Sequence, residues 1–291
     1  MTAQTYKSTG TFDPIGVVLG VVLAVVAMVP LSFLYAYATQ YIPFIYLNFL
    51  VSFGAVFGVA GAYIFGESLG KNRNRAISLL AMLVVAALTL YVFWVTFLYV
   101  LTEREFGYTE LLTQPKLIMD LITALIEYGW FSIKNAEVKG TFYAILLGVE
   151  ALCYVAIFIV MWWTALRARI FCENCQKWVE SEALPVFFDP ANSDALVQEV
   201  RAGTDRWVEM LHPTTANPAL RLDLADCQHC RALCVLHVYR VESKAKDNGE
   251  VDTSEHTLVD NILITPNVRE QLKAKVEEFV RAGAQAQEEN G

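Results

Sequence analysis

Residues 14–66 contain no Asp, Glu, Lys or Arg, and that absence constrains the chain more than any other feature. A helix of about 20 apolar residues spans the hydrocarbon core of a bilayer. This run is long enough for two crossings, divided near "ATQYIP", where polar residues and Pro43 interrupt it. Residues 76–102 form a second charge-free run, and 140–166 a third that carries Glu150 alone. Backbone polar groups in lipid must be satisfied within their own segment, so runs of this kind imply helices and exclude lipid-facing loops. The pattern predicts four transmembrane helices at about 15–37, 42–65, 76–101 and 141–166. "YAYA" near the end of the first resembles a signal-peptidase site. The apolar stretch before it is longer than a signal peptide needs, and Lys7 is the one basic residue ahead of it, so an uncleaved anchor is expected.

The connectors set the orientation. Lys71, Arg73 and Arg75 lie in the short second connector, and Arg167 and Arg169 end the fourth helix, whereas the first connector is uncharged. The third connector, 103–139, holds four basic and six acidic residues. Basic residues are retained on the cytoplasmic side, so both termini are expected in the cytoplasm of a cell whose inner membrane holds the chain. The clustered Lys71, Arg73, Arg75, Arg167 and Arg169 would meet anionic lipid heads.

Within the apolar runs, Gly16 and Gly20 are four apart, as are Gly54 and Gly58. Small residues at that spacing let helix backbones approach closely in lipid, and both pairs read as packing seams, with homo-oligomerisation as the alternative use. Pro30 is expected to kink the first helix. In the third connector, Leu117, Ile118, Leu121, Ile122 and Leu125 recur at helical spacing over about 115–128, an external amphipathic segment too short to span. Trp130 after it suits a membrane interface; a lid over an external cavity is the other reading of this segment.

Everything after residue 166 reads as a water-soluble domain. "LPVFF" (184–188), "LRLDL" (220–224), "LCVLHVYRV" (233–241) and "HTLVDNILI" read as strands, with "KDNGEVDT" as a turn. Ser193 opens a helix expected to break near Gly203, and Pro266 opens a C-terminal amphipathic helix that ends in a frayed tail.

Five of the six cysteines lie in this C-terminal part. In a cytoplasmic domain thiols stay reduced, which favours metal ligation over disulfides. "CENC" (Cys172, Cys175) and "CQHC" (Cys227, Cys230) each present two thiolates on one tight turn, and two such pairs complete the tetrahedral shell that zinc favours. Together with the strand-like sequence beside them, these four residues resemble the ligand set of a zinc ribbon. The resemblance implies one structural Zn2+ per chain, closed to chemistry by its four thiolates. Residues 176–226 separate the pairs, more than the usual gap of about 15–20, so an insertion with a strand and a helix is expected. A thiol redox pair would need a helix N-terminus within a βαβ pattern, which neither CxxC has. Cys234 reads as a buried strand residue, His229 as an exposed turn residue and His237 as structural.

Glu150 is the one ionisable acid or base inside a predicted membrane helix, so it is a candidate for proton or ion handling, or for interhelical hydrogen bonding. Ser52, Thr89, Tyr91 and Tyr99 are its candidate partners. Residues 167–291 hold 14 Lys/Arg against 21 Asp/Glu, with no dense basic patch, which disfavours nucleic-acid binding. No P-loop, GxGxxG, HExxH or nucleophile elbow occurs, so no enzyme is expected. The sequence therefore predicts a membrane α-helical bundle of four transmembrane helices (1–166) followed by a cytoplasmic α+β domain with a zinc ribbon (167–291). Its expected role is that of an adaptor or assembly component for a protein partner. A transport or sensing component using Glu150, and a CxxC redox enzyme, are the rivals.

Overall fold

The computed structural model describes residues 2–42, 44–130, 132–133, 136–167, 169–245 and 250–288. Pro43, half of the expected 246–253 turn and the end of the C-terminal tail lie outside the described residues, as does the side chain of Arg167. The chain divides into two compact units, Thr9–Arg167 and Ala168–Gly291, the latter joined by Met1–Ser8. Sequence alone grouped that N-terminal segment with the helices.

In the first unit, α1 (Pro14–Tyr41), α2 (Ile45–Leu69), α3 (Arg75–Leu101) and α6 (Gly140–Arg167) are four helices long and apolar enough to cross a membrane. Pro14 occupies the first position of α1, where its missing N–H costs nothing, and the Asp13 carboxylate accepts the Ile15 N–H at 3.0 Å. The other Asp13 oxygen accepts the Lys71 N–H at 3.0 Å, which fastens the α2–α3 connector to the start of α1. Asn74 caps α3 through the Ile77 N–H. α1 and α2 run about four residues past their expected ends. Polar residues such as Thr39, whose hydroxyl donates to the Tyr35 carbonyl, end an apolar run without ending a helix.

The α1–α2 seam rests on glycines, one pair of which differs from expectation. Gly16 and Gly20 face Gly66 and Gly70, and a Cβ on Gly66 would lie 2.6 Å from the Leu19 carbonyl oxygen. Gly58 meets the end of the Leu31 side chain, and nothing lies within 4 Å of a Cβ on Gly54. The working pair on α2 is thus Gly66/Gly70, in "GESLG". It escapes a search confined to charge-free runs because Glu67 sits inside it. Gly66→Ala must push two backbones apart and is expected to destabilise this unit by about 1–3 kcal/mol, read as a lower thermal midpoint in detergent.

Between α3 and α6, α4 (Tyr108–Thr113) and α5 (Pro115–Tyr128) precede a two-stranded ribbon, β1 (Ser132–Ile133) with β2 (Ala136–Glu137). Leu117, Ile118, Leu121, Ile122 and Leu125 of α5 gather with Val95 and Leu98 of α3 and Leu111 of α4. Trp130 donates to the Tyr143 hydroxyl at 2.7 Å and stands edge-on to Phe97.

The second unit begins with a short hairpin, β3 (Ile170–Cys172) and β4 (Lys177–Val179). An antiparallel sheet follows in the order β5 (Ser181–Ala183), β6 (Ala219–Asp226), β7 (Cys234–Ala245), β8 (Val251–Leu263). Alternation along the strands decides its two faces. Leu220, Leu222 and Leu224 of β6 and Leu236 and Val238 of β7 form one core with α7 (Ser193–Ala202), a 3-10 turn (Arg206–Val208) and α8 (Pro266–Glu288). On the alternate face, Arg221 pairs with Asp223 and Glu255 and His237 with Asp260, while Ala225 and Val235 are apolar.

Residues 184–218 are inserted between the paired strands β5 and β6, which accounts for the long gap between the cysteine pairs. The expected strand at 184–188 is absent. Pro185 removes a ladder donor, pairing moves upstream to β5, and Phe188 alone bridges Leu220 and Pro213. Asn192, one residue earlier than the expected Ser193, holds the cap position of α7, and the helix breaks at Gly203 with φ 71°.

Candidate metal centre

Each CxxC sits at the turn of a β-hairpin. In the first, Cys172 pairs with Lys177 across β3 and β4, and residues 173–176 make the turn. In the second, Asp226 pairs with Cys234 at the end of β6 and β7, and the Cys227 N–H donates to the Leu233 carbonyl at 2.9 Å. The residue after the second cysteine is left-handed in both: Gln176 and Arg231 each have φ 54°. This matched reversal turns both sulfurs of a pair to the same side. It also strains a residue that has a Cβ. Gln176→Gly is expected to relieve that strain and to raise stability by about 0.5–1 kcal/mol after the entropic cost of glycine, measured by denaturant unfolding of the full chain.

The two turns bring all four sulfurs together, with every Sγ within 4.8 Å of the others. Cys172 and Cys230 stand 3.4 Å apart, and all four are free thiols. A disulfide would need about 2.05 Å. A tetrahedral zinc thiolate with bonds of about 2.3 Å places its sulfurs about 3.8 Å apart. The cluster is thus already near the size of a metal shell, and the four cysteines could hold a metal ion.

The surroundings fit that use. Cys172 and Cys227 are buried, Cys175 and Cys230 half-buried, and Ile170, Val179, Ala225 and Val235 pack around them. The Ala232 N–H and hydrogen bonds from the neighbouring thiols hold the Cys230 thiol down to about 6. Burial and the same neighbours push Cys175 up to about 12. Four thiols this close cannot all ionise unless a cation shares their charge. Cys234 stands apart from the cluster: it is buried in the helix-covered core, and burial with nearby Asp226 pushes its thiol up to about 12, so it stays neutral. His229 lies on the second turn and meets Lys177 of the first hairpin at 2.6 Å.

Two contacts near the centre carry no cysteine signature and were missed in the sequence. The Tyr6 hydroxyl accepts the Phe171 N–H at 2.9 Å and donates to the Phe171 carbonyl at 3.2 Å, next to Cys172 and from 165 residues away. Asp226, adjacent to Cys227, is almost fully buried with Arg269 at 2.9 Å and Lys273 at 2.5 Å. Burial alone would raise that carboxyl, but its hydrogen bonds to Lys273 and Arg269 win and hold it below the usual carboxylate range. Arg269 also donates to the Arg231 carbonyl at 3.3 Å, so α8 is fastened to the second turn. The one available signal was Arg269 and Lys273 four apart on the predicted last helix.

In the helical unit, Glu150 lies where three helices meet. Its Oε1 accepts from Tyr35 of α1 at 3.2 Å, Ser52 of α2 at 3.4 Å and Tyr154 of α6 at 3.0 Å. Of its expected partners Ser52 alone is realised. Thr89 donates to the Val85 carbonyl, Tyr91 to the carbonyls of Leu111 and Leu112, and Tyr99 packs edge-on against Tyr108. A cavity of about 10 Å³, no larger than one water, adjoins Glu150, Tyr35, Phe93, Trp94 and Tyr154. A second carboxyl, Glu67, was overlooked: it is buried at the end of α2, accepting from the Asn72 amide and the Ser78 hydroxyl at 2.8 Å each.

The expected membrane-surface cations are spread along the chain. Lys71 and Arg75 are exposed, and Arg73 is half-buried with its N–H on the Thr11 carbonyl. Arg169 lies over the Trp178 ring, 5.6 Å from its centre. Comparison with protein families, with curated proteins and with solved structures finds no match for this chain.

Proposed function

We propose that this is an integral membrane protein whose C-terminal unit, stabilised by one structural zinc, serves as a docking module for a protein partner. The observation that carries the reading is the four-sulfur cluster itself. Four thiolates on one tetrahedral ion leave no open position for substrate or activated water, so the metal would hold the two hairpins together as a zinc ribbon does. Membrane insertion is supported by where apolar surface lies. Among the described residues, the C-terminal unit exposes Phe187, Val251 and Val280 as its large apolar side chains, whereas more than two dozen are exposed in the helical unit. Lys71, Arg73, Arg75, Arg167 and Arg169 support an orientation with both termini in the cytoplasm and the helices in the inner membrane.

Photo-crosslinking from exposed positions of the C-terminal unit in native membranes tests the docking role. One recurrent crosslinked protein, lost when Cys172→Ser removes the metal, supports it; absence of any recurrent partner contradicts it. A second reading, transport or sensing through Glu150, is favoured by the three hydroxyls converging on one carboxylate oxygen. Glu150→Gln separates the two readings. A docking module is expected to keep its partner and its stability within about 1 kcal/mol, because an amide oxygen still accepts from the hydroxyls, whereas a transporter or sensor would lose its response.

A further inference from the structure

We infer that residues 2–8 form a strap whose docking on the C-terminal unit depends on occupancy of the metal centre. The inference rests on the metal reading above. The strap adds to the outer edge of β8: the Leu263 N–H donates to the Gln4 carbonyl at 2.8 Å, and the Tyr6 N–H to the Asn261 carbonyl at 2.7 Å. Thr5 bridges Ile262, and the Ala3 N–H donates to the Arg201 carbonyl at the end of α7. Asn261 lies at an irregular stretch of β8, with φ 57°. Such bulges re-aim backbone groups, here toward the strap.

Beyond these backbone bonds, Ala3 packs against the helix-covered core. Gln4 and Thr5 are exposed, and Ala3 and Tyr6 are half-buried. Its side-chain anchor is Tyr6, which packs in the same apolar cluster as all four metal-site cysteines and clasps the Phe171 backbone through both hydrogen bonds of its hydroxyl. Phe171 belongs to a strand of three residues that pairs with the three of β4. A hairpin that short is marginal by itself, so its position depends on the packing of Ile170 and Val179 against Ala225 and Val235 and on Cys172 and Cys175 being tied to Cys227 and Cys230. Without the metal, that packing alone positions the hairpin, and the Phe171 groups that Tyr6 clasps are held less firmly.

Residues 9–13 link the strap to α1. When it is docked, the two units are joined by two chain crossings, at 8–9 and at 167–168; when it is released, by the second alone. Metal occupancy would then be coupled to docking of the strap. Coupling of this kind is reciprocal, so weakening the strap lowers metal affinity by the same factor.

Hydrogen exchange on the full chain in lipid nanodiscs, zinc-loaded and then stripped with a chelator, tests this. On stripping, amides of 2–8 and 170–179 are expected to exchange at least about ten-fold faster while 220–224 and 236–241, in the helix-covered core, keep their protection. Tyr6→Phe, which removes the hydroxyl that clasps the Phe171 backbone, is expected to release 2–8 about ten-fold with zinc still bound. Unchanged exchange of 2–8 on stripping overturns the strap, as does loss of protection in 220–224 and 236–241 at the same time, since that is global unfolding. A chain that cannot be loaded with zinc overturns the metal reading itself, an outcome distinct from a loaded chain whose strap ignores the metal.

Discussion

On the proposed zinc reading, replacing any one of Cys172, Cys175, Cys227 or Cys230 by serine is expected to abolish stoichiometric metal binding and to loosen both cysteine hairpins. Structural zinc contributes about 10–16 kcal/mol of apparent binding energy in small zinc domains, and that energy is folding energy where the site does not exist beforehand. Here part of the site is prebuilt: the helix-covered core of Leu220, Leu222, Leu236 and Val238 packs without touching the sulfurs. The expected loss is therefore several kcal/mol rather than all folding, concentrated in 170–179 and 226–235. Elemental analysis should fall from one zinc per chain toward none in each of the four variants. Cys234→Ser should keep its zinc, because that thiol lies outside the cluster. Acidification should mimic the ligand variants reversibly. Zinc-bound thiolates carry fewer protons than the free thiols, so binding is stable at higher pH and weakens as pH falls.

Asp226→Ala is expected to be the most damaging change outside the sulfurs. It leaves Arg269, 4% exposed, with the exposed Glu270 but without its buried counter-charge, and leaves the Lys273 ammonium beside it. Breaking a buried pair by removing one partner costs about 3–5 kcal/mol, which lowers the unfolding midpoint by on the order of 10 °C. Replacing Asp226 and Arg269 together by apolar residues should recover most of that loss, since the desolvation cost leaves with the charges. The pair also carries a pH signature. Because the folded-state carboxyl is held below its ordinary value, the stability it contributes is present above about pH 4 and is lost as pH falls through the depressed value. Thermal unfolding of the single and double variants at pH 7 and below pH 4 checks both statements.

How much of this was legible in the sequence follows from the range of each signal. The four long helices were, because a charge-free run is a local property that lipid or a core must answer. Their ends were less so, since Thr39 and Glu67 end an apolar run while the helix continues to Tyr41 and Leu69. The four cysteines were legible as one set because CxxC pairs have a local turn geometry, and two such turns suffice for one ion. What joins distant segments was not. Tyr6 reaches Phe171 across 165 residues through a single hydroxyl, and nothing in "QTYKS" marks it. Glu150 was visible as an anomaly, but its partners Tyr35 and Tyr154 were hidden among many aromatic residues of the same helices. Gly66 and Gly70 were passed over because the charge of Glu67 between them masked a small-residue seam.

The central claim is that four thiolates close around one zinc. X-ray absorption at the zinc edge, on the full chain purified in detergent under reducing conditions, tests it most directly. The account predicts one zinc per chain with four sulfur ligands at about 2.3 Å and no nitrogen or oxygen ligand. A chain without metal whose cysteines form a reversible disulfide, or a zinc with an oxygen in its shell, would contradict it.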